Sequence, residues 1–194
     1  MNIIRRHFSI VLLMTLLFIS AGSYAGPYIG LSIGESAADE KCEDIPYPYY
    51  LGTCEGIDDA GKIFAGIRYN ENVAFEVAYL DMGELVKTIN ETRITAEPTG
   101  TNFSIVGIYP TEIFVEFYGK AGLLLWDTTV IRHEPGGSSV DDDGTDLSFG
   151  IGLSIRAEKY AIRIEYEELN EINGEYSPGG TTLTFISFGG DYYF

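Results

Sequence analysis

Residues 62–79 read KIFAGIRYNENVAFEVAY. Apolar side chains stand at every second position from Ile63 to Tyr69 and again from Val73 to Tyr79, and three polar residues separate the two runs. A period of two is typical of β-strands, and a short polar break between two such runs is typical of a hairpin turn. The stretch therefore predicts a β-hairpin with one apolar face.

The same alternation predicts two more hairpins and two single strands, which makes eight strands in all. The hairpins are residues 102–126 and 146–167, their turns are Pro110-Thr111 and 157–159, and the single strands are residues 28–34 and 181–194. Connections of about two to four residues alternate with connections of roughly 12 to 25 residues. This pattern predicts an all-β fold, an eight-stranded antiparallel up-and-down barrel with short turns at one end and four long loops at the other.

The two faces of the predicted strands differ in charge. One face carries no charged residue; it consists of Ile63, Ala65, Ile67, Tyr69, Val73, Phe75, Val77, Tyr79, Phe103, Ile105, Gly107, Tyr109, Ile113, Val115, Phe117, Gly119, Ala121, Leu123 and Leu125. The other face carries charges of both signs among small residues. Unpaired charges in hydrocarbon cost several kcal/mol, so the apolar face is expected to meet lipid. A soluble barrel of the lipocalin kind, with its apolar side chains inside, is the disfavoured alternative.

The charged face predicts an ion network inside the barrel. An eight-stranded barrel is just wide enough to be filled by its own side chains, so these charges should contact one another. Counted from the short turns, Glu76, Glu116 and Arg163 are expected at one height, with Arg68 and Arg156 below them and Lys120 and Glu165 above. A packed interior is the expectation, and a narrow charged channel is the alternative.

The first 25 residues have the features of a secretory signal. Arg5 and Arg6 precede a short apolar run, and the small residues before Gly26 predict cleavage between Ala25 and Gly26. A membrane anchor needs about 20 apolar residues, and this run is shorter. Residues 26–194 are therefore the expected barrel.

The chain resembles the small OmpA-like and OmpX-like outer-membrane barrels of Gram-negative bacteria. The resemblance lies in the opening strand YIGLSIG, residues 28–34, and in a closing strand that bears Tyr192 and ends at Phe194. It implies an outer-membrane location, contact with lipid and lipopolysaccharide, and four loops on the cell surface. It also implies that Tyr192 and Phe194 form the signal that the outer-membrane assembly machinery recognises. A monomer without a peptidoglycan-binding domain is expected.

The charge balance limits the possible partners. There are 29 acidic against 12 basic residues, a net charge of −17, which disfavours nucleic acid as a ligand. The predicted loops, taken as residues 35–59, 83–98, 127–146 and 167–180, hold 21 of the 29 acids. A solvated acidic rim is the simplest interpretation; the alternative is that Asp141, Asp142, Asp143 and Asp146 hold divalent cations shared with lipopolysaccharide. No metal site of a known pattern and no cofactor site is predicted.

Two cysteines, Cys42 and Cys54, lie in the first predicted loop. An exported chain passes through an oxidising compartment, so a disulfide between them is expected, with two free thiols as the alternative.

Catalysis is not expected. His133 is the only histidine of the predicted mature chain, and neither a nucleophile elbow nor a metal-ligand cluster accompanies it. The sequence predicts a non-enzymatic barrel that serves envelope integrity or interaction with surfaces or hosts, of the colonisation or adhesion type. A lipid A-modifying enzyme is the second candidate, and a small-solute pore is the third.

Overall fold

The structure is a computed structural model that describes residues 26–38, 52–55, 57–89, 92–112, 114–133, 139–172 and 181–194. Ten strands occupy this part of the chain: β1 Pro27–Ala38, β2 Gly52–Glu55, β3 Ile57–Arg68, β4 Val73–Asp81, β5 Leu85–Ile89, β6 Thr92–Pro110, β7 Val115–His133, β8 Ser139–Ala157, β9 Tyr160–Ile172 and β10 Thr181–Tyr193. Within these ranges no helix is long and apolar enough to cross a membrane.

Eight of the strands close a barrel. Each barrel strand pairs antiparallel with its neighbours in the order β1-β3-β4-β6-β7-β8-β9-β10, and β10 returns to β1 with Tyr28 opposite Tyr193. The longest seam joins β6 to β7, from Arg93 opposite His133 to Pro110 opposite Glu116. The predicted fold class is confirmed.

The strands on one side of the barrel are longer than the sequence predicts. β6, β7 and β8 each have 19 residues, whereas the other five barrel strands have 9 to 13. The pairing of β7 with β8 continues to Ile131 opposite Ser139, inside the segment expected to be a loop. β5 extends the same sheet by pairing with β6, and β2 pairs with β5. Threonine and β-branched side chains, which favour strands, are frequent in the extended parts of β6 and β7, whereas the extended part of β8, residues 139–145, holds three aspartates and a glycine, which strands disfavour.

The outer wall of the barrel is apolar. Large hydrophobic side chains at alternate positions are exposed on it, among them Ile33, Ile63, Ile105 and Ile151. The side chains at the intervening positions point into the barrel and are buried, and several of them are charged. The barrel is thus apolar outside and polar inside, as membrane barrels are.

Aromatic side chains surround the short-turn end. Tyr69, Tyr109 and Tyr160 are exposed there, and Tyr192 lies between Tyr160 and Phe194, with ring centroids 5.4 and 5.1 Å away. Rings with one polar tip suit the boundary between hydrocarbon and headgroups.

The turn between β6 and β7 differs from the prediction. The strand is expected to start at residue 113, which lies outside the described residues, but β7 starts at Val115. Phe114 has a φ of 64°, a left-handed conformation that interrupts the alternation just before the strand.

Candidate functional site

A cluster of ionised side chains fills the middle of the barrel. Lys120 Nζ lies 3.0 Å from Glu76 Oε1 and 2.8 Å from Glu165 Oε1. Arg163 Nη1 lies 3.0 Å from Glu76 Oε2 and 3.4 Å from Glu165 Oε2. All four side chains are almost completely buried, and three different strands supply them. The structure thus brings four of the seven predicted network residues into direct contact.

Three further members of this central cluster are missing from the prediction. Lys62 pairs with both Glu165 and Glu167, Glu167 Oε1 lies 2.9 Å from Lys120 Nζ, and Asp191 Oδ2 lies 2.7 Å from Arg163 Nη2. The alternation of the strands could have identified all three, because each falls on the inward face of its strand. Glu167 is missed because the prediction ends its strand there, although β9 continues to Ile172.

Arg68 and Glu116 form a separate pair near the short turns. Arg68 Nη1 donates to both oxygens of Glu116, at 3.0 and 2.9 Å, and its other nitrogens donate to the carbonyls of Asn70 and Glu71. The expectation that Glu116 lies level with Glu76 is therefore wrong. Glu116 is the second residue of β7, so it sits lower in the barrel than a strand beginning at residue 113 would place it.

Arg156, the last predicted network member, contacts an aromatic ring. Its guanidinium lies over the Tyr193 ring, 3.9 Å from the centroid. This distance is typical of a cation–π contact.

Aromatic side chains complete the cluster. The Tyr28 hydroxyl donates to Glu76 Oε2 at 3.1 Å, and the Tyr118 hydroxyl donates to Glu165 Oε2 at 2.7 Å. Both rings lie against glycines: a Cβ at Gly66 would come within 2.2 Å of the Tyr28 ring, and one at Gly152 within 2.4 Å of Tyr118. Glycine at these two positions makes room for the tyrosines that donate to the carboxylates.

An apolar layer lies above the cluster, on the long-loop side. Its members are all buried: Leu80, Met82, Leu124, Trp126, Leu169, Leu183 and Phe185. Met82 comes from the segment after β4 and is held there because Ser36 Oγ donates to its carbonyl and its own N–H donates to Pro98. The layer separates the ion cluster from the long-loop end of the barrel.

This closed barrel has relatives among known proteins. Residues 24–194 match the sequence model of the OmpA-like transmembrane domain. The chain belongs to this family. The OmpA-like barrel accordingly lies in the outer membrane of a Gram-negative bacterium. A search of curated proteins finds no significant match to the sequence.

Solved structures of small outer-membrane barrels have the same fold. Neisserial surface protein A matches with a TM-score of 0.62 and 18% identity over 88% of this chain and 99% of the other. The attachment invasion locus protein Ail of Yersinia pestis matches with a TM-score of 0.57 and 15% identity, over 88% of this chain and 99% of the other. The N-terminal barrel domain of OprF from Pseudomonas aeruginosa matches with a TM-score of 0.54 and 14% identity, over 87% of this chain and 99% of the other.

Of the remaining predicted sites of this OmpA-like barrel, Gly26 and Phe194 lie at its short-turn end. Phe194 N–H donates to the Pro27 carbonyl at 3.1 Å, and Gly26 O accepts from Arg68 N at 3.0 Å, so both termini of the barrel are tied to its short-turn end. Ala25 and Cys42 lie outside the described residues. Cys54 lies in β2 opposite Lys87. The signal cleavage and the disulfide stay predictions.

His133 lies at the far end of β7 from the ion cluster. It is exposed, and its Nε2 lies 3.3 Å from Thr95 Oγ1. Two of the acids considered for divalent cations accept hydrogen bonds from protein side chains: Asp146 accepts from Trp126 Nε1 at 2.7 Å, and Asp141 accepts from Thr129 Oγ1 at 3.0 Å. Within the described residues, no group of three or more His, Cys, Asp or Glu side chains could hold a metal ion.

Proposed function

We propose that this OmpA-like barrel is a monomeric, non-enzymatic surface-interaction protein. Its binding surface is the extended sheet, defined as β2, β5 and the parts of β6, β7 and β8 within residues 92–99, 127–133 and 139–145. The short turns then face the periplasm, and the extended sheet faces outward from the cell.

The observation that carries this proposal is the length of the β7–β8 pairing. The last exposed large hydrophobic side chains are Leu125 on β7 and Leu147 on β8, and the pairing runs on to Ile131 opposite Ser139. Six residues of strand span about 20 Å, so an ordered sheet projects well past the apolar band. Closing the barrel does not require this extension. An ordered polar sheet beyond the membrane is suited to contact with other molecules.

The outward face of the extended sheet is rich in carboxylates and threonines. Asp127 and Asp143 stand directly opposite each other on neighbouring strands, and Asp127 accepts from Thr99 Oγ1 at 3.1 Å. Like charges in this arrangement repel, and a basic partner would relieve the repulsion. The Ail structure holds a heparin analogue, sucrose octasulfate. Here the carboxylates favour a partner with exposed lysine or arginine rather than a sulfated one.

The interior supports a barrel that does not conduct. The ion cluster and the apolar layer of seven side chains lie one above the other across the lumen. We expect planar-bilayer recordings to show no steady large conductance, and such a conductance would favour the pore instead.

The enzyme alternative has its own test. Lipid A from cells that express the barrel should have an unchanged mass spectrum. A new lipid A species that requires His133 would favour the enzyme.

The test of the binding surface is a shortened hairpin. Replacing residues 130–140 by an Asn-Gly turn joins Thr129 to Asp141, which already face each other across the two strands. Bacteria that carry this variant should lose adhesion to epithelial cells or immobilised matrix proteins, while the barrel keeps its heat-modifiable gel mobility. A variant in which an Asn-Gly turn replaces residues 173–180, and so joins Ile172 to Thr181, which also face each other, serves as the control and should keep adhesion.

Two results would oppose this assignment. Adhesion equal to the parent would show that the extended sheet is not the binding surface. If, in addition, loss of the whole barrel sensitises cells to detergent, envelope integrity is the better description of its role.

A further inference from the structure

Two adjoining hollows lie on the outer, lipid-facing wall of the barrel. Their volumes are about 770 and 670 Å³, and they share Gly107, Gly119, Ile151 and Tyr166. Their lining is almost entirely apolar. Together they form a continuous groove across the strands from β6 to β9.

The floor of the groove lacks side chains. Gly107 and Gly119 stand opposite each other in the β6–β7 register, and Ala121 follows on the same face. A Cβ at Gly107 or Gly119 would meet no atom closer than 3.9 or 3.8 Å, so the space over both glycines is open. Large side chains such as Phe117 and Tyr166 border it. The wall is thus indented by about the thickness of a side chain where its neighbours are bulky.

The long-loop end of the groove carries a carboxylate. Glu168 lines the second hollow, faces outward like Ile164 and Tyr166, and is half-buried. No described residue forms a hydrogen bond or ion pair with the Glu168 side chain. Glu168 is eight residues beyond Tyr160, which places it about 20 Å above the short-turn girdle, close to the far border of an apolar band about 25 Å tall. The carboxylate therefore lies at the level of lipid headgroups.

We propose that the groove binds one lipid whose headgroup carries a primary amine. An acyl chain lies over Gly107, Gly119 and Ala121, and the ammonium group pairs with Glu168. An apolar groove alone would accept the chain of any membrane lipid, but an anionic group at its end favours a cationic headgroup over one that carries phosphate alone. This site lies in the wall of the barrel and does not depend on the role of the extended sheet.

The test is native mass spectrometry of the refolded mature barrel with two lipids of identical acyl chains, phosphatidylethanolamine and phosphatidylglycerol. The parent should retain one phosphatidylethanolamine roughly two- to fivefold better than phosphatidylglycerol, the range expected for a partly exposed ion pair. Glu168→Gln should remove this preference. Glu35→Gln, which changes another outward carboxylate away from the groove, should keep it.

Filling the groove tests the acyl-chain site separately. Gly119→Leu should lower the retention of both lipids equally, and Gly107→Val gives the same test if the first variant does not show the gel mobility of a folded barrel. Three results would overturn the proposal. The parent could retain the two lipids equally, or the Glu35 and Glu168 variants could lose the preference equally. Retention of both lipids could also stay unchanged after Gly119→Leu fills the groove. A stable two-chain mass that Gly119→Leu abolishes would also overturn it, because the groove would then be a contact between copies.

Discussion

At the scale of single residues, the alternation of faces determines which charges are tolerated. Lys62, Lys120 and Arg163 are buried among four carboxylates, and each carboxylate contacts at least one of the three cations. Buried ion pairs add little net stability, but removing one member leaves its partners charged and desolvated. The cluster should therefore respond strongly to single substitutions.

Glu165→Gln is expected to lower the free energy of unfolding by about 3–5 kcal/mol, because Lys62, Lys120 and Arg163 all lose a carboxylate. Guanidinium unfolding in lipid vesicles, followed through Trp126, measures the change. Glu84→Gln is the control: it breaks an exposed pair with Arg93 and should cost only about 0–1 kcal/mol. Equal costs would show that the interior is hydrated and loosely packed.

The outer wall responds to charge according to depth. Ile105→Lys places a cation in the middle of the apolar band and should cost about 2–4 kcal/mol in the same unfolding assay. Tyr109→Lys lies on the same face of β6 but at the aromatic girdle, and should cost about 0–1 kcal/mol. If the two substitutions cost the same, the wall does not face hydrocarbon at residue 105.

At the scale of elements, the sequence predicts the membrane-spanning parts of the strands better than the extended sheet. Between lipid and a polar interior, the residues of the strands within 62–69 and 73–79 must alternate, so the pattern is clear. Beyond the membrane, both faces of β7 and β8 meet water, and the polar run at Asp141 gives no alternation to detect. The height of Glu116 is missed for another reason, because it depends on the left-handed conformation of Phe114 in the preceding turn.

The turn between β8 and β9 offers a prediction of its own. Glu158 has a φ of 52°, a conformation that costs an ordinary residue about 1–2 kcal/mol. Glu158→Gly removes this strain, but glycine also raises the conformational entropy of the unfolded chain, which offsets part of the stabilisation. The free energy of unfolding should therefore rise by about 0.5–1 kcal/mol. Lys159→Gly, one residue further, is the control and should not stabilise the barrel. A destabilised Glu158→Gly variant would contradict the strained turn.

At the scale of the whole molecule, a filled, closed barrel carries a sheet that projects from one end. The barrel accounts for the ion cluster and the apolar layer, and the projecting sheet accounts for the length of β6, β7 and β8. The interior is predictable from the faces of the strands. The binding partner is not predictable, because the strand pattern carries no information about what the extended sheet binds. The functional proposal depends on which side of the membrane the extended sheet occupies.

Epitope tags inserted at two positions test that placement most directly. One tag is inserted within residues 134–138, between β7 and β8, and the other within 70–72, between β3 and β4. Antibody should bind the first tag on intact bacteria and the second only after the outer membrane is permeabilised. Binding to the 70–72 tag on intact cells, with the 134–138 tag hidden, would contradict the account and place the extended sheet in the periplasm.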